Sequence, residues 1–449
     1  MSFPKYPAYK DSGVEWIGDI PVGWEITPLK TVASISTSNV DKKSYNGEHS
    51  VYLCNYVDVF YNNDITSDIK FMQATASKKQ IETFSLITDD VLITKDSESA
   101  EEIAIPAYIP HHLDNTLCGY HLAILRSNRR LSGRFLFWFF LSAALKFEVK
   151  CKANGLTRVG LSQYALNNIV FPLPPLPEQQ AIASFLDREC GKIDALIAEQ
   201  ERLIALLAEK RQAVISHAVT KGLTPNAPMK DSGIPWIGMV PEGWEILSLN
   251  KVVRNFIDYR GVTPNKVESG IPLITASCIK HGRIDHSIDP VFITEKEYNR
   301  RMTRGFPRAG DVILTTEAPL GEVAIVEDAL ISPGQRMILF KLHESMSNFY
   351  MKLYYLSDIG RQELRSRASG STASGIRADR LRASAIPVPP LNEQKEICAY
   401  IDRKTSTFES LEQQIRYELD ILKERRAALI SAAVTGKIDV RAQSKARAA

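Results

Sequence analysis

The side chains best suited to hold a metal stand close together as His111, His112, Cys118 and His121. Zinc is the ion such a set would take, yet the intervals match no finger or ribbon spacing, and scattered loop and strand residues are the plainer reading. Signatures of catalysis are missing from the sequence. It holds no G-x-x-x-x-G-K-[ST] phosphate loop, no G-x-G-x-x-G, no H-E-x-x-H and no G-x-S-x-G. Nor does it hold Asn-Pro-Pro followed by an aromatic, the mark of an amino-methyltransferase site. Basic side chains remain: Arg300, Arg301, Arg304 and Arg308 in YNRRMTRGFPR, with Lys280, His281 and Arg283 upstream. The first half adds Lys42, Lys43, Lys78, Lys79, Arg126, Arg129, Arg130 and Arg134. A charge run is often only a solvated face. On a duplicated frame such runs also suit DNA, where Arg and Lys grip phosphate and read guanine. Phosphate grip is the role expected of Arg301 and Arg304.

The frame that would carry these residues is written twice. FPLPPLPEQQAIASFLD begins at Phe171 and IPVPPLNEQKEICAYID at Ile386, an offset of 215 residues. Upstream, KDSGVEWIGDIPVGWEITPL begins at Lys10 and returns as KDSGIPWIGMVPEGWEILSL at Lys230, an offset of 220. Between these ends, blocks 30–153 and 250–368 differ, which predicts one scaffold holding two working surfaces. Trp16, Trp24, Trp236 and Trp244 in the repeats fit a structural clamp that closes a domain better than a ligand cage.

Each proline-rich strap cannot be helical and passes at once into an apolar-periodic run. Ile193, Leu196, Ile204, Leu207 and Val214 in the first run predict a coiled-coil seam, as do Phe408, Leu411, Ile415, Leu419, Leu422 and Leu429 in the second. Gln200, where the second copy has Ile415, reads as a register device. Glu178 and Glu393 suit the first turns, and Gly222 and Gly436 the stops. About 40 residues make a rod of about 60 Å, a spacer. Within the blocks, strands are predicted at 50–53, 91–94, 121–125, 271–275, 311–316, 322–326 and 337–342. One helix should close each block, near 135–149 and 349–364. The expected fold class is α+β, with two similar globules each followed by a long helix, the helices pairing antiparallel with pseudo-twofold symmetry. The predicted boundaries are 1–170 and 223–385 for the globules, 171–222 and 386–437 for the helices, and 438–449 for a flexible basic tail.

Six cysteines occur singly with no C-x-x-C pair, as buried thiols of a reducing compartment do. No charged-then-apolar leader follows Met1, and the apolar run at 135–145 is far below the ~20 residues of a membrane span. A soluble, cytoplasmic protein is expected. A net charge of +3 means that any DNA face must be local.

WIGDIPVGWE and WIGMVPEGWE open the halves. GLTRVGLSQYALNNIVFPLPPLPEQ and GSTASGIRADRLRASAIPVPPLNEQ close the globules, and a long helix follows each. This pattern resembles the specificity subunit of type I restriction-modification systems over essentially the whole chain. The resemblance implies two target recognition domains, each reading one half of a bipartite, interrupted DNA site. It implies as partners two adenine-specific methyltransferase subunits using S-adenosylmethionine, and translocating restriction subunits using ATP and Mg. Catalysis and cofactors would then belong to the partners, none to this chain. A tandem adaptor that only joins proteins is the alternative. In the loop before each strap, Thr157 and Thr372 with Gly155, Arg158, Gly160, Ser371 and Gly375 would offer backbone N–H groups to phosphate. Base readers are expected on turns after strands: Lys95, Asp96 and Ser97 after VLIT, and Thr316 and Glu317 after VILT, where a carboxylate could accept from cytosine N4. Tyr120 and His121, and Gln335 and Arg336, opening the next strands, are further candidates.

Overall fold

The computed structural model describes residues 3–155, 158–261, 263–369 and 375–442. They form two compact units. One contains the described residues up to Gln200 together with those from Tyr417 onward, and the other is Glu201–Arg416. The division therefore passes through both long helices rather than at their ends.

At the centre of the first unit is an antiparallel sheet of β1 (Ala33–Thr37), β2 (Asp90–Thr94), β3 (Pro106–Tyr108) and β4 (Leu122–Ser127), in spatial order β1-β4-β2-β3. Strand side chains alternate between faces, and here both faces are covered. Val91, Ile93, Ala123 and Leu125 enter one apolar core, and Leu92, Leu122 and Ile124 enter the other. That explains why β2 reads DVLIT with no exposed position. The second core also packs a small sheet in which His49–Cys54 runs antiparallel to Met72–Ala76 and parallel to Thr116–Cys118.

The first core is closed by the repeated ends. Glu25–Pro28 pairs antiparallel with Val170–Leu173 of the strap, and Trp24 is buried. The strap then turns into α1 (Leu176–Lys221). Gln179 in its first turn is fully buried. Its Oε1 accepts from Ser132 N at 2.8 Å, and its Nε2 donates to Pro174 O at 2.8 Å and Arg130 O at 2.9 Å. One amide thus satisfies three main-chain groups that would otherwise be buried without partners.

The second unit repeats this plan. Strands β5 (Val253–Asp258), β6 (Val312–Thr316), β7 (Leu320–Ile325) and β8 (Met337–Leu342) lie in the order β5-β8-β6-β7. Val312, Leu314 and Phe340 face one core while Ile313, Ala324 and Leu339 face the other. The strap strand Ala385–Val388 pairs with Glu245–Ser248 and leads into α2 (Leu391–Val434). Gln394 accepts from Ser347 N at 2.8 Å and donates to Pro389 O at 2.9 Å and Ser345 O at 3.0 Å. In the first unit the two ends of the described chain meet, with Asp439 N donating to Pro4 O at 2.7 Å.

Two expectations need correction. The helix predicted at 135–149 is two helices, Gly133–Phe140 and Ala143–Lys152, and that at 349–364 is Asn348–Leu356 and Asp358–Arg367. Each break falls at a serine that caps the following helix: Ser142 Oγ accepts from Leu145 N, and Ser357 Oγ from Gly360 N. The seam departs from expectation at two positions. Leu196 and Leu411 are 52% and 43% exposed, whereas Ile193, Ile415 and Leu419 are buried. The helices pair antiparallel: Arg426 binds Asp194 (2.7 and 3.2 Å) and Gln200 Nε2 lies 3.5 Å from Glu418 Oε2 in the first unit, and Arg211 binds Glu409 (3.1 Å) in the second. Among the described residues, no helix is long and apolar enough to cross a membrane.

Candidate nucleic-acid interface

One end of each central sheet carries the same main-chain frame. In the first unit, Lys95 N donates to His121 O (2.8 Å) and Leu161 N to Lys95 O (3.0 Å), while Asn154 and Gly160 exchange N–H···O bonds of 3.1 and 3.0 Å. In the second unit, Thr316 N donates to Arg336 O (2.8 Å) and Ile376 N to Thr316 O (3.0 Å), while Ser369 and Gly375 exchange bonds of 2.9 and 3.1 Å. Asp96 pairs with Gly160, and Glu317 with Gly375. Just before the pair that opens β4 or β8 stands a glycine, and in both units the fit demands it. Gly119 N donates to Cys54 O and Gly334 N to Ile274 O, both at 2.8 Å; an added Cβ would lie 2.6 or 2.7 Å from those oxygens.

The side chains on this common frame differ. In the first tip His121, at φ +74°, brings Nδ1 within 2.5 Å of Asp96 Oδ1, although the contact is not aligned as a hydrogen bond. Arg158 Nε donates to the same oxygen at 2.6 Å, and Lys95 Nζ lies 3.6 Å from Oδ2. Burial pushes the His121 imidazole below its ordinary value, outweighing Asp96, and Arg158 adds to the lowering. Tyr120 is 48% exposed, its ring centroid 4.0 Å from that of His121 and 5.9 Å from Lys95 Nζ. The result is an acid enclosed by three basic groups, with an exposed aromatic beside them.

The second tip is more open. Arg336 Nε lies 3.7 Å from Glu317 Oε1, and each side chain is nearly half exposed. Thr263 Oγ1 donates to Gln335 Oε1 at 2.7 Å. Arg260, which sequence reasoning missed, is bound to both oxygens of Asp258 and donates Nη1 to Ile376 O at 3.2 Å, tying β5 to the loop beneath the tip. Burial works against the Asp258 carboxylate, but the Arg260 hydrogen bonds prevail and hold it below the usual range.

Not every expected residue reaches a tip surface. Ser97 is buried; its hydroxyl donates to Glu102 (2.5 Å) and accepts from Tyr56 (3.2 Å). Thr316 is buried too, its Oγ1 donating to Arg336 O at 3.1 Å. Both lie under the tips, because alternation along a strand turns every second side chain inward. Arg301 donates Nη2 to Pro333 O (2.8 Å), and Arg304 donates Nη1 to Asp258 O and Arg260 O (both 2.6 Å). A guanidinium has five N–H donors, so exposed Arg304 keeps others for an outside ligand. Arg126 and Arg134 of the basic set are likewise committed, Arg126 bidentate to buried Asp90 (2.8 Å twice) and Arg134 to Asp187 (2.8 Å) and Asp64. Thr157, Ser371 and Thr372 lie outside the described residues. Among the described residues no three or more His, Cys, Asp or Glu side chains gather as metal ligands, and His111, His112, Cys118 and His121 do not form a set.

Comparison with known proteins follows the same duplication. A family model described as the type I restriction modification DNA specificity domain matches residues 21–204 and again 241–420. The putative type I restriction enzyme MjaX specificity subunit of Methanocaldococcus jannaschii is 26% identical over 437 residues, covering 95% of this chain and 96% of that protein. The type I restriction enzyme EcoKI specificity subunit of Escherichia coli is 22% identical over 443 residues, covering 94% and 90%. Among solved structures, the HsdS subunit from Thermoanaerobacter tengcongensis superposes with a TM-score of 0.52 at 19% identity, over 93% of this chain and 98% of that one. A chain from a study of complex assembly and conformational transition in the type I R-M system superposes at 0.65, also at 19% identity, over 92% and 98%. With two matches that together span most of its length, the chain belongs to the type I restriction-modification DNA specificity family.

Proposed function

We propose that the chain is the non-catalytic, sequence-specific DNA-binding subunit of a type I restriction-modification complex, each tip reading one half of a bipartite, interrupted target. The carrying observation is that one hydrogen-bonded frame presents Asp96, His121 and Tyr120 in one unit and Glu317, Arg336 and Gln335 in the other. A fixed frame with exchanged side chains is what reading two different half-sites requires. In the second half, Arg336 is the guanine reader through O6 and N7, and Glu317 the acceptor for an exocyclic amine of cytosine. In the first, Asp96 is largely enclosed and acts as a positioning residue for His121, Lys95 and Arg158, which face the bases and phosphates with Tyr120. Arg304 and the strap-proximal loops that include Thr157, Ser371 and Thr372 grip phosphate; Arg301 holds Pro333 below Gln335.

The modules are 1–170 and 223–385, with spacer helices at 171–222 and 386–437 and a basic tail after them. Partners are two methyltransferase subunits binding S-adenosylmethionine, joined by restriction subunits that use ATP and Mg. Leu203 and Leu206 on α1, 42% and 49% exposed, support helix docking by such partners. The test is to map methylated adenines in cells carrying the wild-type chain or Arg336→Ala. The expected result is a motif relaxed in one half only. Relaxation in both halves, or an unchanged motif, would overturn the assignment.

A further inference from the structure

The repeated clamp differs between the two units at the place that Tyr6 fills. In the first unit Tyr6 is buried against Trp24, ring centroids 5.8 Å apart. Its phenol donates to Glu178 Oε1 at 2.6 Å, and Trp24 Nε1 donates to the same oxygen at 3.1 Å. The second unit repeats the receptor without the occupant. Trp244 and Glu393 stand where Trp24 and Glu178 do, but the position matching Tyr6 is Asn226. A cavity of about 340 Å³ is left, lined by Trp244, Glu393, Pro241, Pro390, Lys221 and Ala227 among others. Trp244 is 0% exposed, yet its Nε1 has no acceptor. The cause lies in the chain path. In the first unit the segment carrying Tyr6 is held by Asp439 N donating to Pro4 O. In the second the link from α1 to Met229–Asp231 is the short GLTPNAP, which brings no aromatic residue.

We propose that the Trp244 cavity is a docking pocket for a tyrosine side chain of a partner protein, which takes the place that Tyr6 fills in the first unit. The phenol O–H donates to Glu393, the ring packs edge-on against Trp244, and the same carboxylate then accepts from Trp244 Nε1. The cavity far exceeds the roughly 30 Å³ share of one water, and it is bordered by prolines and an indole, so a ring with one hydroxyl suits it better than solvent does.

The pocket can be tested on the full chain with 4-methylphenol as probe, followed by the indole N–H resonances of the five tryptophans, with Trp244 assigned through Trp244→Phe. A saturable shift of the Trp244 signal is expected, with toluene binding about tenfold more weakly because it cannot donate to Glu393. Ala227→Phe should block the site, and Glu393→Ala should weaken it about tenfold. Tyr6→Ala should open a twin site reported by Trp24, an internal control independent of any folding defect in the second unit. A tripeptide Gly-Tyr-Gly with blocked ends should bind about tenfold more tightly than its Phe analogue. No saturable shift, equal binding of toluene, indifference to Ala227→Phe, or failure of the Tyr peptide would each overturn the proposal.

Discussion

His121 Nδ1 lies 2.5 Å from Asp96 Oδ1, and 215 residues later Arg336 Nε lies 3.7 Å from Glu317 Oε1 at the same place in the repeated frame. His121 and Arg336 stand immediately before β4 and β8, and Asp96 and Glu317 follow β2 and β6. Main-chain bonds between the two strands set the distance before any side chain is chosen.

From this equivalence we expect side-chain exchange at the tips to act locally. Glu317→Gln keeps size and adds donors, so it should exchange preference at one base pair of the second half-site. One reading contact carries about 1–3 kcal/mol of discrimination. Affinity for a panel of duplexes varied at each position would report it. An equal loss on every duplex would show that Glu317 supports the fold instead.

Beneath the tips lies a stability prediction. Asp90 is 1% exposed and rests on Arg126, so Arg126→Met should leave a buried carboxylate unpaired and cost about 3 kcal/mol. Adding Asp90→Asn should recover part of that loss, since a neutral amide is cheaper to bury. Urea unfolding of the three variants measures the cycle, and an additive pair would mean that the two side chains are not coupled. Lys341 on Asp311 (2.6 Å) offers the same experiment in the second unit.

The strap glutamines make a sharper case. Gln179→Glu preserves shape but gives a group that cannot donate to Pro174 O and Arg130 O unless protonated. Each orphaned buried acceptor costs about 1–3 kcal/mol, so the first unit should lose several kcal/mol. Gln179→Glu and Gln394→Glu should destabilise alike, which hydrogen exchange resolved by unit would show. A neutral result in either would mean that the strap is held otherwise.

Much of this was readable in the chain. The duplicated ends, the β runs and the two long helices follow from patterns in which each residue votes for the same element. The seam was misread at Leu196 and Leu411 because leucines also occupy the outer face, so spacing by threes and fours fits two stripes. The single helix expected over Ser142 and over Ser357 failed for a local reason, as a serine that caps a helix looks inside an apolar run like any small residue. Tip positions could be found as turns after strands, but which side chains rise above them depends on register, which hid Ser97 and Thr316. Gln179 and Gln394 looked like ordinary first-turn residues; only the tertiary fold supplies their main-chain partners.

The last prediction concerns acid. Burial holds the His121 imidazole below its ordinary value of about 6.5, so in the folded chain it is neutral at pH values where the unfolded chain already binds a proton. Between the folded and unfolded values the unfolded state therefore carries more protons, and the stability of the first unit should rise with pH and level off above about pH 6.5–7. DNA binding should move in the opposite sense. A phosphate or guanine acceptor placed against His121 favours the charged ring, so the complex takes up a proton, and affinity for the first half-site should increase as pH falls from about 7.5 to about 5.5. His121→Asn should flatten both slopes. Changing the second half-site should leave them as they are. Measuring urea midpoints and DNA affinity across that range for both proteins checks the two signs together. Slopes that persist in His121→Asn would place the titrating group elsewhere.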